Sequence, residues 1–368
     1  MTLTFGSLFA GVGGFDIGFE QAGWKCEWQV EWDKNCQDVL AHKWPDVVRY
    51  SDVQEAEGFN MEPVDVITFG SPCQDLSVAG KREGLGGSRS SMFYEATRVI
   101  REMRYATNGQ YPRIAIWENV PGALTSNKGE DFGAVIDEMA DIGALAIEWH
   151  VLDAQWFGVP QRRRRVFLIA CFDPTIIERC SGEILPVGKS SEGDSKQVGK
   201  RRKQNARASE DGPGESGGQL ASFVKTIRSG ARDENGNLPP EVWESQKISP
   251  TLNAFDNTGE SRSTVLILDA TRVNDFRIYD DGITPTLKAR MGTGGNQVPL
   301  VVDDGKDNYS IRRLTPVECE RLMGFPDNHT MYGKSGKVIS DTNRYKMIGN
   351  AVAVPVSKWI GANLKSIM

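Results

Sequence analysis

Three short stretches carry side chains able to do covalent and acid–base chemistry beside apolar runs. Pro72-Cys73-Gln74 follows the run Val64-Asp65-Val66-Ile67-Thr68-Phe69 and opens a segment rich in Gly and Ser. A thiol at the carboxyl end of a buried parallel strand sits where open α/β sheets hold their ligands. Pro72 fixes its own φ and biases Ser71 toward an extended backbone, so the approach to Cys73 is stiff. A lone cysteine is most often a small buried hydrophobe, and the case for Cys73 rests on its company. Glu118-Asn119-Val120-Pro121 ends a second apolar run, residues 113–117. A carboxyl entering the interior there has its pKa raised by desolvation and becomes a proton donor. Gln161-Arg162-Arg163-Arg164-Arg165 precedes a third run, Val166-Phe167-Leu168-Ile169. Strand alternation puts Arg163 and Arg165 on one face and Arg162 and Arg164 on the other. One pair is expected in the site, the other on structure or phosphate.

A ligand cradle precedes all three. Phe9-Ala10-Gly11-Val12-Gly13-Gly14 leaves the first strand and enters a helix. Glycines there let the backbone approach a ligand, and the helix N-terminus offers N–H groups to an anion. Read from Gly11, the third glycine position of a dinucleotide fingerprint falls on Asp16, which spoils pyrophosphate cradling. Glu31 follows the second strand and suits a ribose diol, with Trp32 beside it to face an adenine. Asp52-Val53 ends a third strand, where a carboxylate can accept from an adenine amino group. An adenosine ligand without a pyrophosphate fits best, which points to S-adenosylmethionine with its carboxylate on the Gly-rich turn.

The elements that position these groups are legible over the first 180 residues as apolar strands alternating with amphipathic helices, the pattern of a doubly wound parallel sheet. Strands are expected at 3–8, 26–30, 64–69, 113–117, 144–151 and 165–170, and helices at 33–44, 91–105 and 132–142. Residues 186–218 are almost free of apolar side chains and read as a linker or mobile loop. Pro250-Thr251-Leu252-Asn253-Ala254 then recurs as Pro285-Thr286-Leu287-Lys288-Ala289. Each copy leads into a β-rich run, 264–268 and 298–302, with 224–227 as a weaker echo. Helical patterning returns after Ile311.

Composition narrows the class. No stretch approaches eighteen apolar residues, so no membrane span is expected, and the amino terminus lacks the pattern of a signal peptide. Six cysteines without a Cys-x-x-Cys pair and only three histidines argue against zinc, other metals and disulfides, and for a reducing, cytoplasmic setting. The net charge of −6 does not advertise nucleic-acid binding, but positive charge is concentrated at 162–165 and 196–203, and local patches are what phosphates respond to.

Together these pieces resemble the DNA (cytosine-5)-methyltransferase family of bacteria and phages. The resemblance is carried by Phe9–Gly14, Glu31-Trp32-Asp33, Pro72-Cys73-Gln74, Glu118-Asn119-Val120 and Gln161-x-Arg163-x-Arg165. It resumes with Arg313-Leu314-Thr315-Pro316, Glu318, Arg321, Gly324-Phe325-Pro326 and Gly349-Asn350-Ala351-Val352 before Pro355-Val356. It implies an α/β fold, a Rossmann-like S-adenosylmethionine-dependent methyltransferase sheet with a second, smaller β-rich target-recognition domain. Residues 1–185, completed by 326–368, would bind the cofactor and do the chemistry; 186–325 would read DNA.

The same resemblance implies residue roles. A Cys73 thiolate adding to carbon 6 of a flipped cytosine makes carbon 5 nucleophilic. Protonated Glu118 serves N3 and Arg163 serves O2, and Arg165, Gln74 and Asn119 are counted with them as catalytic. The segment after Cys73, with Gly80, Gly84, Gly86 and Gly87, closes over the base. Phe9, Ala10, Gly11, Val12, Gly13, Gly14, Glu31, Trp32, Asp52, Val53, Pro72, Asn350 and Val352 are expected around the cofactor. Thr286-Leu287 is expected to take part in DNA recognition, and Thr251-Leu252 is read as a structural repeat. Partners would be double-stranded DNA and, genetically, a cognate restriction endonuclease. An RNA cytosine-5 methyltransferase is disfavoured by the long region between Arg165 and Arg313, a non-catalytic DNA-binding protein by the intact Cys73, Glu118, Arg163 and Arg165, and a nicotinamide oxidoreductase by Asp16.

Overall fold

Runs of residues buried on both faces make the inner strands of the central sheet. The computed structural model describes residues 2–71, 92–180, 183–187, 284–292, 298–305 and 308–368, with strand segments 222–225, 243–246, 263–265, 269–272 and 275–277. Pro72, Cys73, Gln74, the glycines that follow them, Thr251-Leu252 and the basic run at 196–203 lie outside the described residues. Seven strands, β1 (Thr4–Leu8), β2 (Lys25–Val30), β3 (Val48–Tyr50), β4 (Val66–Phe69), β5 (Ile114–Asn119), β6 (Ala146–Asp153) and β7 (Arg164–Cys171), join in the order β3-β2-β1-β4-β5-β7-β6. β4 and β5 are buried at every position, which is why they read as unbroken apolar runs.

The sheet departs from the all-parallel expectation at one strand. β7 runs antiparallel to both β5 and β6, whereas β1 to β5 pair in parallel. Residues 154–163 join β6 to β7 with one short 3-10 turn, Ala154–Trp156. That connection is a hairpin; a parallel return requires a dozen or more residues. The reversal brings the start of β7 to the end of β5, so that Val166 faces Asn119 and Phe167 faces Glu118.

Helices α1 (Gly14–Gln21), α2 (Lys34–Lys43), α3 (Met92–Ala106), α4 (Glu130–Asp141) and α5 (Pro174–Arg179) cover this sheet. In α3 the buried side chains Phe93, Ala96, Val99, Ile100 and Met103 recur at helical spacing. Asp33 caps α2 by accepting from the Asn35 and Cys36 amides, satisfying donors that the helix leaves open. Three further helices, α6 (Pro316–Leu322), α7 (Asp341–Asn350) and α8 (Val354–Ile367), return from the end of the chain. α8 packs on α1: Trp24 Nε1 donates to the Gly361 carbonyl (2.9 Å), and Ser357 Oγ to that of Gly14 (2.7 Å).

Two compact units result. The larger comprises Met1–Ser209, Pro285–Asn296 and Pro316–Met368, the smaller Glu210–Thr284 and Gln297–Thr315. Residues 285–296 and 316–325, expected in the smaller domain, thus belong to the larger unit. Backbone packing explains the first: a Cβ at Gly349 would come within 2.3 Å of Ala289 N. A buried ion pair explains the second, Arg344 Nη2 reaching Glu320 Oε1 (3.0 Å) while the Thr330 amide donates to the same oxygen. Within the smaller unit, β8 (Ser222–Lys225), β9 (Trp243–Gln246) and β10 (Ser263–Val265) form an antiparallel sheet. β11 (Asp269–Arg272) pairs with β12 (Asp275–Arg277), and β13 (Leu300–Gly305) with β14 (Asn308–Arg313). The β-rich texture is as expected.

Candidate active site

Glu118 leaves the interior of β5 with 9% of its surface exposed. Arg165 Nε lies 3.0 Å from Glu118 Oε1. Burial raises the Glu118 pKa above the ordinary carboxylate value, and Arg165 and Arg163 partly offset that. The neighbouring strand end is tied to the same place. Trp117 Nε1 donates to Ser71 Oγ (3.0 Å) and Asn119 Nδ2 to the Ser71 carbonyl (3.3 Å). A Cβ at Gly70 would sit 3.1 Å from Glu118 Oε2. Gly70 and Ser71 therefore lie against Glu118 and Asn119, and Cys73 follows two residues later in the chain.

The arginine run divides as alternation predicts, with Arg163 and Arg165 turned inward and Arg162 and Arg164 exposed. The two inward arginines do different work. Arg163 is 2% exposed, and its guanidinium donates to the carbonyls of Leu287 (3.0 Å), Gly349 (3.1 Å) and Ala351 (2.6 Å). Its own amide donates to Asp153 Oδ1 (3.0 Å). Burial and the nearby Arg165 hold its pKa well below the usual guanidinium value. Arg163 thus ties the entrance of β7 to two distant chain segments, while Arg165 faces the carboxyl. Gln161 is also buried and donates to the Leu322 carbonyl (3.3 Å).

A cleft of about 190 Å³ opens beside β1, β2 and β3, lined by Phe9, Val30, Glu31, Trp32, Asp52, Val53, Gln54 and Met92. Glu31 holds the turn above it: Oε2 accepts from the Gly11 amide and Oε1 from the Asp33 amide, both at 2.7 Å. Each carboxylate oxygen keeps a lone pair for a further donor. Burial raises the Glu31 pKa, against those amide donors. Trp32 is 73% exposed, which leaves an aromatic face free on the rim.

The three glycines of the turn serve different ends. A Cβ on Gly11 meets nothing within 4 Å, so this is the point open to a ligand. One on Gly13 would strike the Trp44 ring at 2.3 Å, and one on Gly14 the Val352 carbonyl at 2.4 Å. Ala10 and Val12 are buried in the core, and Val352 contributes its backbone against Gly14. Asn350 is exposed at the end of α7 and is not among the cleft residues.

A family model for C-5 cytosine-specific DNA methylase matches residues 3–366. The chain belongs to that family. Among relatives of this cytosine-5 DNA methyltransferase, the type II methyltransferase M.HpaII of Haemophilus parainfluenzae is 27% identical across 98% of this chain and 88% of its own length. The protein named DNA N-6-adenine-methyltransferase of Escherichia phage P1 is also 27% identical, across 98% of this chain; the chain spans 60% of that relative's length. In structure, methyltransferase EhMeth of Entamoeba histolytica superposes over 100% of this chain and 98% of its own, with a TM-score of 0.60 at 15% identity.

For a methyltransferase of this family the geometry gathers two clusters in the larger unit. Glu118, Asn119, Arg165 and the chain leading to Cys73 form one; Phe9, Glu31, Trp32, Asp52 and Val53 form the other. Thr286 and Leu287, in the same unit, turn toward the arginine run: Thr286 Oγ1 donates to the Arg162 carbonyl (2.5 Å), and Leu287 is fully buried. Val30, Gln54, Met92 and Asp153 were not singled out in the sequence. Met92 and Gln54 carry no motif signal, whereas Asp153 could have been found as the cap of the turn that follows it. No helix among the described residues is long and apolar enough to cross a membrane.

Proposed function

We propose that this DNA cytosine methyltransferase transfers a methyl group from S-adenosylmethionine to carbon 5 of a cytosine flipped out of a specific duplex sequence, through a covalent Cys73–carbon 6 adduct. The observation that carries the reading is the buried Glu118–Arg165 pair, against which Gly70 and Ser71 bring the chain two residues before Cys73. The cleft fits the adenosine part of the cofactor: Glu31 for the ribose hydroxyls, Trp32 and Phe9 for the flat base, Asp52 for its amino group, with Gly11 open beside them. Bound there, S-adenosylmethionine supplies the electrophilic methyl group.

The protein's own groups do the rest. The Cys73 thiolate adds to carbon 6, and the ring's electrons become available at carbon 5. Glu118, whose hold on a proton burial strengthens, donates to N3 in its protonated form, while Arg165 stabilises charge at O2. Arg163 was the residue expected at O2; with its donors on three main-chain carbonyls, Arg165 is the better candidate. A base then takes the carbon 5 hydrogen as a proton, and Cys73 leaves as the double bond re-forms. Methylation of an exocyclic adenine nitrogen calls for no thiol addition to the ring, so this cysteine and carboxyl favour cytosine. The smaller, β-rich unit is the candidate reader of sequence, and a cognate restriction endonuclease is the expected genetic partner.

A duplex with 5-fluorocytosine at the target tests the scheme, because fluorine cannot leave as a cation. With S-adenosylmethionine present, the enzyme should be trapped in a complex that survives denaturing electrophoresis and vanishes in Cys73→Ala. An adduct persisting without Cys73, or none from active enzyme on its correct site, overturns the mechanism. Transfer to tRNA and not to duplex DNA would overturn the substrate.

A further inference from the structure

The Gly-rich turn holds three left-handed residues in five, with φ of +53° at Phe9, +58° at Gly11 and +83° at Gly13. Glycine adopts such backbone freely, whereas at Phe9 it persists because its surroundings hold it. One support comes from the loop after α6, far along the chain. His329 is 2% exposed, and its Nε2 lies 2.7 Å from the Val12 carbonyl, between the two left-handed glycines. A carbonyl only accepts, so Nε2 carries the hydrogen. The imidazole stacks on Phe325 (centroids 4.9 Å apart, planes 28° apart) and meets Trp44 edge-on (6.1 Å, 73°). Trp44 is the ring that closes over Gly13. On the cleft side, Glu31 grips the Gly11 amide. The turn is thus held at consecutive residues, Gly11 by Glu31 of the cleft and Val12 by His329, which is not among the cleft residues.

We propose that His329 is a positioning residue for cofactor binding. Its Nε2–H sets the plane of the Val12–Gly13 peptide, and so presents Gly11 and Glu31 to the cleft in the geometry that binds. The inference rests on reading the cleft as the S-adenosylmethionine site. His329 touches neither cofactor nor DNA in this scheme, and its effect is confined to the affinity of the turn for its ligand.

Two variants of the full-length enzyme test it, with S-adenosylmethionine affinity by calorimetry, KM for cofactor and for duplex DNA, kcat and thermal midpoint measured for each. His329→Phe keeps the ring against Phe325 and Trp44 but loses the donor; His329→Gln returns an N–H at similar reach. His329→Phe is expected to weaken cofactor affinity and raise its KM by about tenfold, through the unpaired Val12 carbonyl and the loosened turn. KM for DNA and kcat at saturating cofactor should stay within about twofold, and His329→Gln should recover most of the loss. Wild-type cofactor affinity in His329→Phe overturns the proposal. So does an equal loss in DNA and cofactor parameters, or failure of Gln to outperform Phe. Should His329→Phe not fold, His329→Gln against His329→Asn, whose amide is one methylene shorter, makes the same comparison. Failure of the wild-type enzyme to bind S-adenosylmethionine would instead overturn the reading of the cleft.

Discussion

Two arginines two positions apart, both turned inward, have separable duties. Replacing Arg165 with Ala removes the charge beside Glu118, and kcat should fall by about 10²–10³-fold while stability changes by about 1 kcal/mol or less. Arg163→Ala leaves the carbonyls of Leu287, Gly349 and Ala351 without a donor, and should cost about 3 kcal/mol of folding stability or more. Urea unfolding beside steady-state kinetics distinguishes the two. The motif could show that the arginines share a face, because strand alternation carries that information. It could not show which one faces the carboxyl, since the carbonyl acceptors come from residues far along the chain. A second pair of buried groups governs pH dependence. Asp16, fully buried and accepting from Gln29 Nε2 (2.8 Å), is pushed up by burial to about 6. It therefore adds stability at low pH that is lost as pH rises from about 4 to about 6. His329 is pushed down by burial to about 4. Its contribution is present above about 6.5 and lost as pH falls toward 4. The two slopes oppose each other over nearly the same window, with Glu20, Glu31 and Glu118, also raised by burial, adding to that of Asp16. Asp16→Asn removes one of them, and urea midpoints from pH 7 to 4 should then fall more steeply with acid than those of the wild type. A profile unchanged from the wild type in that variant would refute the assignment.

At the scale of elements, the Gly-rich turn shows how one motif combines packing and binding. Gly14→Ala would drive a methyl into the Val352 carbonyl at 2.4 Å. Overpacking backbone in this way should cost about 3 kcal/mol or more. Gly11→Ala faces open space, and the strain of its positive φ should cost about 1 kcal/mol. Cofactor affinity should nevertheless suffer more in Gly11→Ala than in whatever Gly14→Ala protein folds, and melting curves with calorimetry check both halves. Strands β1, β2, β4, β5 and β7 were legible because burial leaves apolar runs, and α2, α3 and α4 because their buried faces recur at helical spacing. The direction of β7 was not. A buried strand has the same composition either way up, and only the short 154–163 connection decides it. The cleft was legible at strand ends, where Glu31 and Asp52 stand out against apolar neighbours, and silent at Met92, an ordinary apolar residue in sequence.

For the molecule as a whole, the larger unit is assembled from three separated stretches. Thr286-Leu287 resembles its β-rich surroundings locally yet joins the larger unit through long-range hydrogen bonds, which a reading along the chain does not reveal. Helix α8 buries Val354, Val356, Ile360 and Leu364. At about 1.5–3 kcal/mol for each such side chain, their loss rivals the entire stability of a typical domain. A chain ending at Ala353 should therefore fail to fold, as circular dichroism and limited proteolysis would show; a native-like melt would contradict the packing described. The Arg163 hub gives this arrangement a temporal meaning. Its acceptors are encoded 124, 186 and 188 residues downstream. While a ribosome is still translating the gene, the emerging N-terminal part carries a guanidinium that has no lasting place in the interior. Closure of the β7 entrance awaits residues 287, 349 and 351, so a polypeptide interrupted before them should keep the start of β7 open to solvent and to proteases.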